Sequence, residues 1–246
     1  MILMTMTPEE VYKQMSHDIY DTLRDRITRA CLRWQRYLRK RTVSSTQSIA
    51  QSLQLQAGRQ QYLIIFTWHP AHHRTNEVAI YAMVRTDEHM YYVCLPKHPD
   101  DPYIDAYTDH FIRRYAERLH LPMRDLPSIH GHYLLHNSCE LGIYCDDKDH
   151  PRDVAFMVPD GLELGRVFNS HWIIRRTFVT LDLLKPEQRE AFRTIMPAYE
   201  AYADRMAESA RQGEYSNLDP VYDYIEDRFD SEFNETQNIY AQFFED

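Results

Sequence analysis

Three residues between Tyr107 and Leu119 have the types and the spacing to do chemistry together. His110, Arg114 and Arg118 recur at four-residue steps, so on a helix turning about 100° per residue they share a stripe roughly 80° wide. Arg113 and Glu117 fall beside that stripe, and Phe111, Ile112, Tyr115 and Leu119 fall on the opposite side. Imidazole exchanges protons near neutral pH, and guanidinium meets phosphate oxygens through a planar, permanently charged fork. Set in a row about 6 Å apart, the three side chains could bind a phosphate and move a proton, as RNA cleavage without a metal requires. The wet face of an ordinary amphipathic helix carries the same residues, with Arg113, Arg114 and Arg118 paired to Asp109 and Glu117.

Two other groupings have chemical content. His69, His72 and His73 follow an apolar run, and His130, His132, His136, Cys139, Cys145 and His150 gather within 21 residues. Zinc takes four such ligands at a structural site and three plus water at a catalytic one. Neither grouping has a Cys-x-x-Cys or His-Glu-x-x-His spacing, and only His132 and His136 would share a helical face. Thirteen histidines in 246 residues make chance clusters common. No metal or cofactor is therefore expected, and a metal-dependent hydrolase is kept as an alternative. A third grouping is basic: Arg24 to Arg41 holds eight cations against one acid, Asp25. Arginines 26, 29, 33 and 36 fall on one side of a helix, with Trp34 and Tyr37 interleaved, which suits either a nucleic-acid backbone or a plain polar face.

The elements that must position these residues follow from periodicity. Pro8 to about Arg41 reads as one long helix or two in series, N-capped by Thr7 with Pro8 at N1. Val11, Met15, Ile19, Leu23, Ile27, Ala30, Trp34 and Leu38 form its apolar side. Ser44 to Arg59, rich in Ser and Gln, reads as a weak helix or a polar connection. Tyr62–Trp68, Val78–Val84 and Tyr91–Leu95 read as strands. The His110 helix comes next, then a short helix over Leu126–Asn137. Val154–Val158, Leu162–Phe168 and Trp172–Thr180 form a β-meander. Helices are expected over Lys185–Gln212 and Asp219–Phe244. The expected class is α+β: an antiparallel sheet from strands near 62–95 and 154–180, packed with N-terminal, central and C-terminal helices. One domain is expected over 1–246, with a helical region at about 8–58, an α+β core at about 60–182 and an acidic helical region at about 183–246.

The pattern His110-x-x-Arg113-Arg114-x-x-x-Arg118, followed by a short helix and a meander ending in Arg175-Arg176-Thr177-Phe178-Val179-Thr180, resembles the RelE/BrnT-like ribonuclease toxin superfamily. The resemblance covers about 107–180. It implies metal-independent RNA cleavage, with His110 exchanging the proton, Arg114 and Arg118 holding phosphate, and Arg176 or Thr177 contributed by the last strand. The chain departs from that family in being large and acidic, with helices at both ends that the toxins lack.

Charge bounds the partners. The net charge of −9 resides in Glu214–Asp246, where ten acids face one base, Arg228, so residues 1–213 sum to zero. The first part can thus carry a basic face for RNA, and the acidic end could mask that face or meet a protein partner. A non-catalytic interaction protein is the alternative to the ribonuclease reading. No apolar run reaches the ~20 residues of a membrane span, and no secretory signal is read at the start. Four scattered cysteines do not form a disulfide framework, so the expected location is the cytoplasm, away from membranes. Glycine-rich nucleotide loops and a Gly-x-Ser-x-Gly elbow are absent from the sequence, which argues against dinucleotide, triphosphate and α/β-hydrolase chemistry.

Overall fold

A computed structural model describes residues 1–41, 48–68, 77–96, 98–137, 140–144 and 153–186, with scattered positions to 201. Two compact units emerge, one of residues 1–136 and 165–178, the other of 137–164 and 179–246.

The first unit opens with α1 (Pro8–His17), a π-helical turn (Asp18–Leu23) and α2 (Arg24–Arg41), in unbroken succession. Thr7 closes a capping box with Glu10, and Pro8 sits in the first turn, where its missing N–H costs nothing. Val11, Met15, Ile19, Leu23, Ala30, Trp34 and Leu38 are all buried. The apolar stripe is therefore continuous through the π turn.

The strands of this unit are β1 (Ile49–Ala57), β2 (Gln60–Trp68), β3 (Glu77–Arg85), β4 (Met90–Cys94) and β5 (Ile104–Thr108), with most of β9 (Trp172–Thr180). They lie in the order β1-β2-β3-β4-β5-β9. The pairs from β1 to β5 are antiparallel and β5–β9 is parallel. Tyr62, Ile64 and Phe66 of β2 join the α1–α2 core. The alternate residue Ile65 faces the other way, where its Cγ2 would lie 3.7 Å from a Cβ built at Gly131. Gly131 belongs to α4 (Leu126–His136), which follows α3 (Asp109–Arg118). Helices thus cover both faces of the β1–β2 region.

One element corrects the sequence reading. Within the polar stretch near 44–59, Ile49–Ala57 is neither helix nor connection but β1, paired residue for residue with β2. Its two-residue hairpin begins at Gly58 with φ +54, the position where a type II′ turn takes glycine. The described N-terminal helices run to Arg41 and strand resumes at Ile49, and β5, together with the parallel β5–β9 pair, adds to the expected antiparallel set.

In the second unit, β6 (Leu141–Tyr144) pairs antiparallel with β7 (Asp153–Val158), and the start of β8 (Gly161–Phe168) lies on the other side of β7. The Asn137 amide donates to Asp160 Oδ2 at 3.0 Å, and its oxygen accepts from the Asp160 N–H at 3.1 Å, which holds the β7–β8 turn. Ala155, Met157 and Leu162 pack with Leu184, Phe192 and Met196. The described positions between 186 and 201 are helical. The expected helix over Asp219–Phe244 lies outside the described residues, as does any masking by the acidic end.

Candidate functional site

The His110 row exists as the spacing requires. Thr108 ends β5 and caps α3 by accepting from the Phe111 N–H at 3.0 Å. Phe111, Ile112, Tyr115 and Ala116 are buried, which leaves His110, Arg113, Arg114, Glu117 and Arg118 exposed. Arg114 Nε donates to His110 Nε2 at 3.4 Å, and its Nη1 meets Glu117 Oε2 at 3.0 Å. Arg113 approaches Asp109 at 3.9 Å. Exposed pairs of this kind contribute at most about 1 kcal/mol. They show Arg113 and Arg114 partnered along their own helix and open to solvent. A neutral imidazole that accepts at Nε2 carries its proton on Nδ1.

Arg118 forms no hydrogen bond or ion pair with the described residues, and Arg176 forms none with the row. Arg176 is exposed on β9, and its charge acts on Tyr91 of β4. Thr177 is half-buried. Their neighbour Arg175 is buried instead, with Nη2 2.8 Å from Asp105 Oδ1 and its guanidinium 5.3 Å from the centre of the Tyr107 ring. The structure therefore joins His110 to Arg114 and leaves Arg118, Arg176 and Thr177 apart from that contact.

The histidine clusters resolve differently. His69, His72 and His73 lie outside the described residues. The rings of His132 and His136 stack with centroids 4.2 Å apart, and Tyr115 Oη lies 3.1 Å from His132 Nδ1. Among the described residues, no three His, Cys, Asp or Glu side chains form a metal-holding group. His130 is wholly enclosed. Its ring lies among those of Tyr81, Tyr92, Tyr107 and Tyr133, and neither nitrogen has a hydrogen-bond partner. Burial holds its pKa down at about 3, so it is a neutral core residue at physiological pH.

A cleft lies on the opposite face of the sheet. It is bounded by Ala30, Arg33, Trp34 and Tyr37 of α2, by Gln51, Ser52 and Leu53 of β1, and by Phe66 of β2, and it encloses about 230 Å³. Trp34 and Tyr37 stack at 5.6 Å with 20° between planes, and Trp34 also packs on Phe66 at 6.0 Å. Trp34 is buried, and its Nε1 lacks a hydrogen-bond partner; Tyr37 is exposed. Seven arginines and lysines lie between Arg24 and Lys40, and all are exposed. At 100° per residue Arg26, Arg29, Arg33, Arg36 and Lys40 occupy a stripe about 80° wide, with Tyr37 beside it. The sequence shows the cations and both α2 aromatics, but not the β1 wall, because β1 itself goes unrecognised there.

No family model, curated protein or solved structure matches this chain. Among the described residues no helix is long and apolar enough to cross a membrane.

Proposed function

We propose that this protein binds single-stranded nucleic acid, RNA in the first place, along the exposed face of α2. The observation that supports this reading is the coincidence of an unbroken cationic stripe with an aromatic cleft at its side. Strand phosphates are held by cations in series and bases by aromatic faces, without need of sequence. The one acid of α2, Asp25, lies at its start; the net charge of −9 does not favour a polyanion, but it resides in residues 214–246, and residues 1–213 sum to zero. Fluorescence polarisation of a labelled single-stranded oligoribonucleotide tests it. Binding at low salt should weaken when Arg29, Arg33 and Arg36 are together changed to Gln. A wild-type protein that binds no oligonucleotide at low salt would overturn it, and so would a triple variant that binds as well as wild type.

The narrower reading, that the protein also cuts RNA, draws on the Arg114–His110 contact of 3.4 Å and on the resemblance of the α3 segment to ribonuclease toxins. In that reading His110 carries the proton, Arg114 and Arg118 hold phosphate, and Arg176 or Thr177 assists from β9. Incubation of the purified protein with labelled RNA tests it, and intact RNA would end it.

A further inference from the structure

The cleft between α2 and β1 has features that a cationic stripe by itself does not need. It is narrow: about 230 Å³ is below the ~300–1,000 Å³ of ordinary small-molecule sites, room for one flat heterocycle rather than a whole nucleotide. Its lining includes three aromatic side chains, Trp34, Tyr37 and Phe66, and the exposed residue Gln51. Among the described residues, Arg33 is the one cation that belongs to both the cleft and the stripe. The cations at 29, 33, 36 and 40 recur every three or four residues, about 5–6 Å apart along α2.

We infer that the cleft is a base-binding subsite: one nucleobase of a bound single strand leaves the stack and enters it, packing on the exposed Tyr37 ring that Trp34 braces from behind, while Arg33 holds the adjoining phosphate. This rests on the proposed binding of nucleic acid by α2 and specifies where a base is held. The shared chemistry is a planar base on a phosphodiester strand, available from RNA or from single-stranded DNA. A strand that merely ran along the cations would leave the cleft empty, so the two cases differ in what the bases contribute.

The test compares three ligands on the full chain: an oligouridylate, its deoxy counterpart of thymidylates, and an oligomer of equal length made only of abasic units. Stacking on one aromatic platform changes affinity by roughly 5- to 150-fold. The abasic oligomer should therefore bind wild-type protein that much more weakly than the oligouridylate. Tyr37→Ala should lose a similar factor for the oligouridylate and almost nothing for the abasic oligomer, while Tyr37→Phe restores binding. Tyr37 lies at the surface, so these variants are expected to fold, as unchanged melting temperatures would confirm. Equal binding of deoxy and ribose strands identifies the base as the recognised group, and a ribose preference adds a 2′-hydroxyl contact at the mouth. If Tyr37→Ala binds the oligouridylate as wild type does, the subsite is overturned while binding along α2 stands. If no oligomer binds, both fall.

Discussion

Trp34 and Tyr37 stand one turn apart on α2 and stack with ring centroids 5.6 Å apart, the first buried and the second exposed. The pair carries the core of the first unit out to its surface. Trp34 rests on Phe66 of β2 at 6.0 Å, and Tyr37 presents an aromatic ring beside the arginine stripe. A ring braced from behind in this way loses little freedom when a ligand packs on it, and aromatic side chains are efficient binding platforms for that reason.

The α3 row predicts a separation of roles. His110→Ala should leave oligonucleotide affinity within about twofold of wild type, because His110 is on α3 and the stripe is on α2. Any RNA cleavage by the wild-type protein should fall by about 10²–10⁴, the usual contribution of a positioned acid or base. A gel assay of labelled RNA beside a polarisation titration reads both. A large loss of affinity with no cleavage in either protein would move the binding face to α3.

Gly131 predicts an exception to helix propensity. Alanine in a helix interior is ordinarily better than glycine by about 1 kcal/mol. A Cβ at position 131 would lie 2.8 Å from the Ala50 Cβ, and both belong to packed elements with little room to shift. Gly131→Ala should therefore destabilise by about 1–3 kcal/mol through overpacking, seen as a lower melting temperature. A rise in that temperature would contradict the close approach of α4 to β1.

His130 predicts how stability responds to acid. Its pKa is about 3 in the folded chain, against an ordinary 6.5, because burial disfavours the charged form. Between these values the unfolded chain binds a proton that the folded chain does not. The stabilising contribution is therefore complete above about pH 6.5 and is lost as pH falls toward 3. His130→Leu removes this proton uptake, and the variant should depend on pH less steeply by up to about 1.4 kcal/mol per pH unit in that window. Parallel denaturation curves for the two proteins from pH 6.5 downward would show that His130 is not buried as described.

Much of this was legible in the sequence, and the remainder failed for physical reasons. The buried side of α1–α2 follows from three- and four-residue steps because those helices pack on one face only. The His110 row follows from the same period, which fixes a face but not what stands opposite it. Leu53, Leu55 and Ala57 alternate with Gln54 and Gln56, a two-residue period ended by Gly58, and this identifies β1 in retrospect. Glutamine and serine mask it, since neither favours strands. One wall of the α2 cleft was lost with that strand. On β9 the doublet Arg175-Arg176 could not reveal which arginine would be buried; the parallel partner Tyr107 and the nearby Asp105 decide that, and both depend on a long-range pairing.

The salt dependence of oligonucleotide binding reports how many phosphates α2 neutralises. Cations that meet a single strand release counterions, so log K should fall linearly with log salt concentration, with a slope of about −0.7 for each phosphate neutralised. Changing Arg29, Arg33 and Arg36 to Gln should reduce the magnitude of that slope by about 2, with the fold intact. The same slope in both proteins, or no binding even at the lowest salt, would contradict the assignment of α2 as the nucleic-acid face.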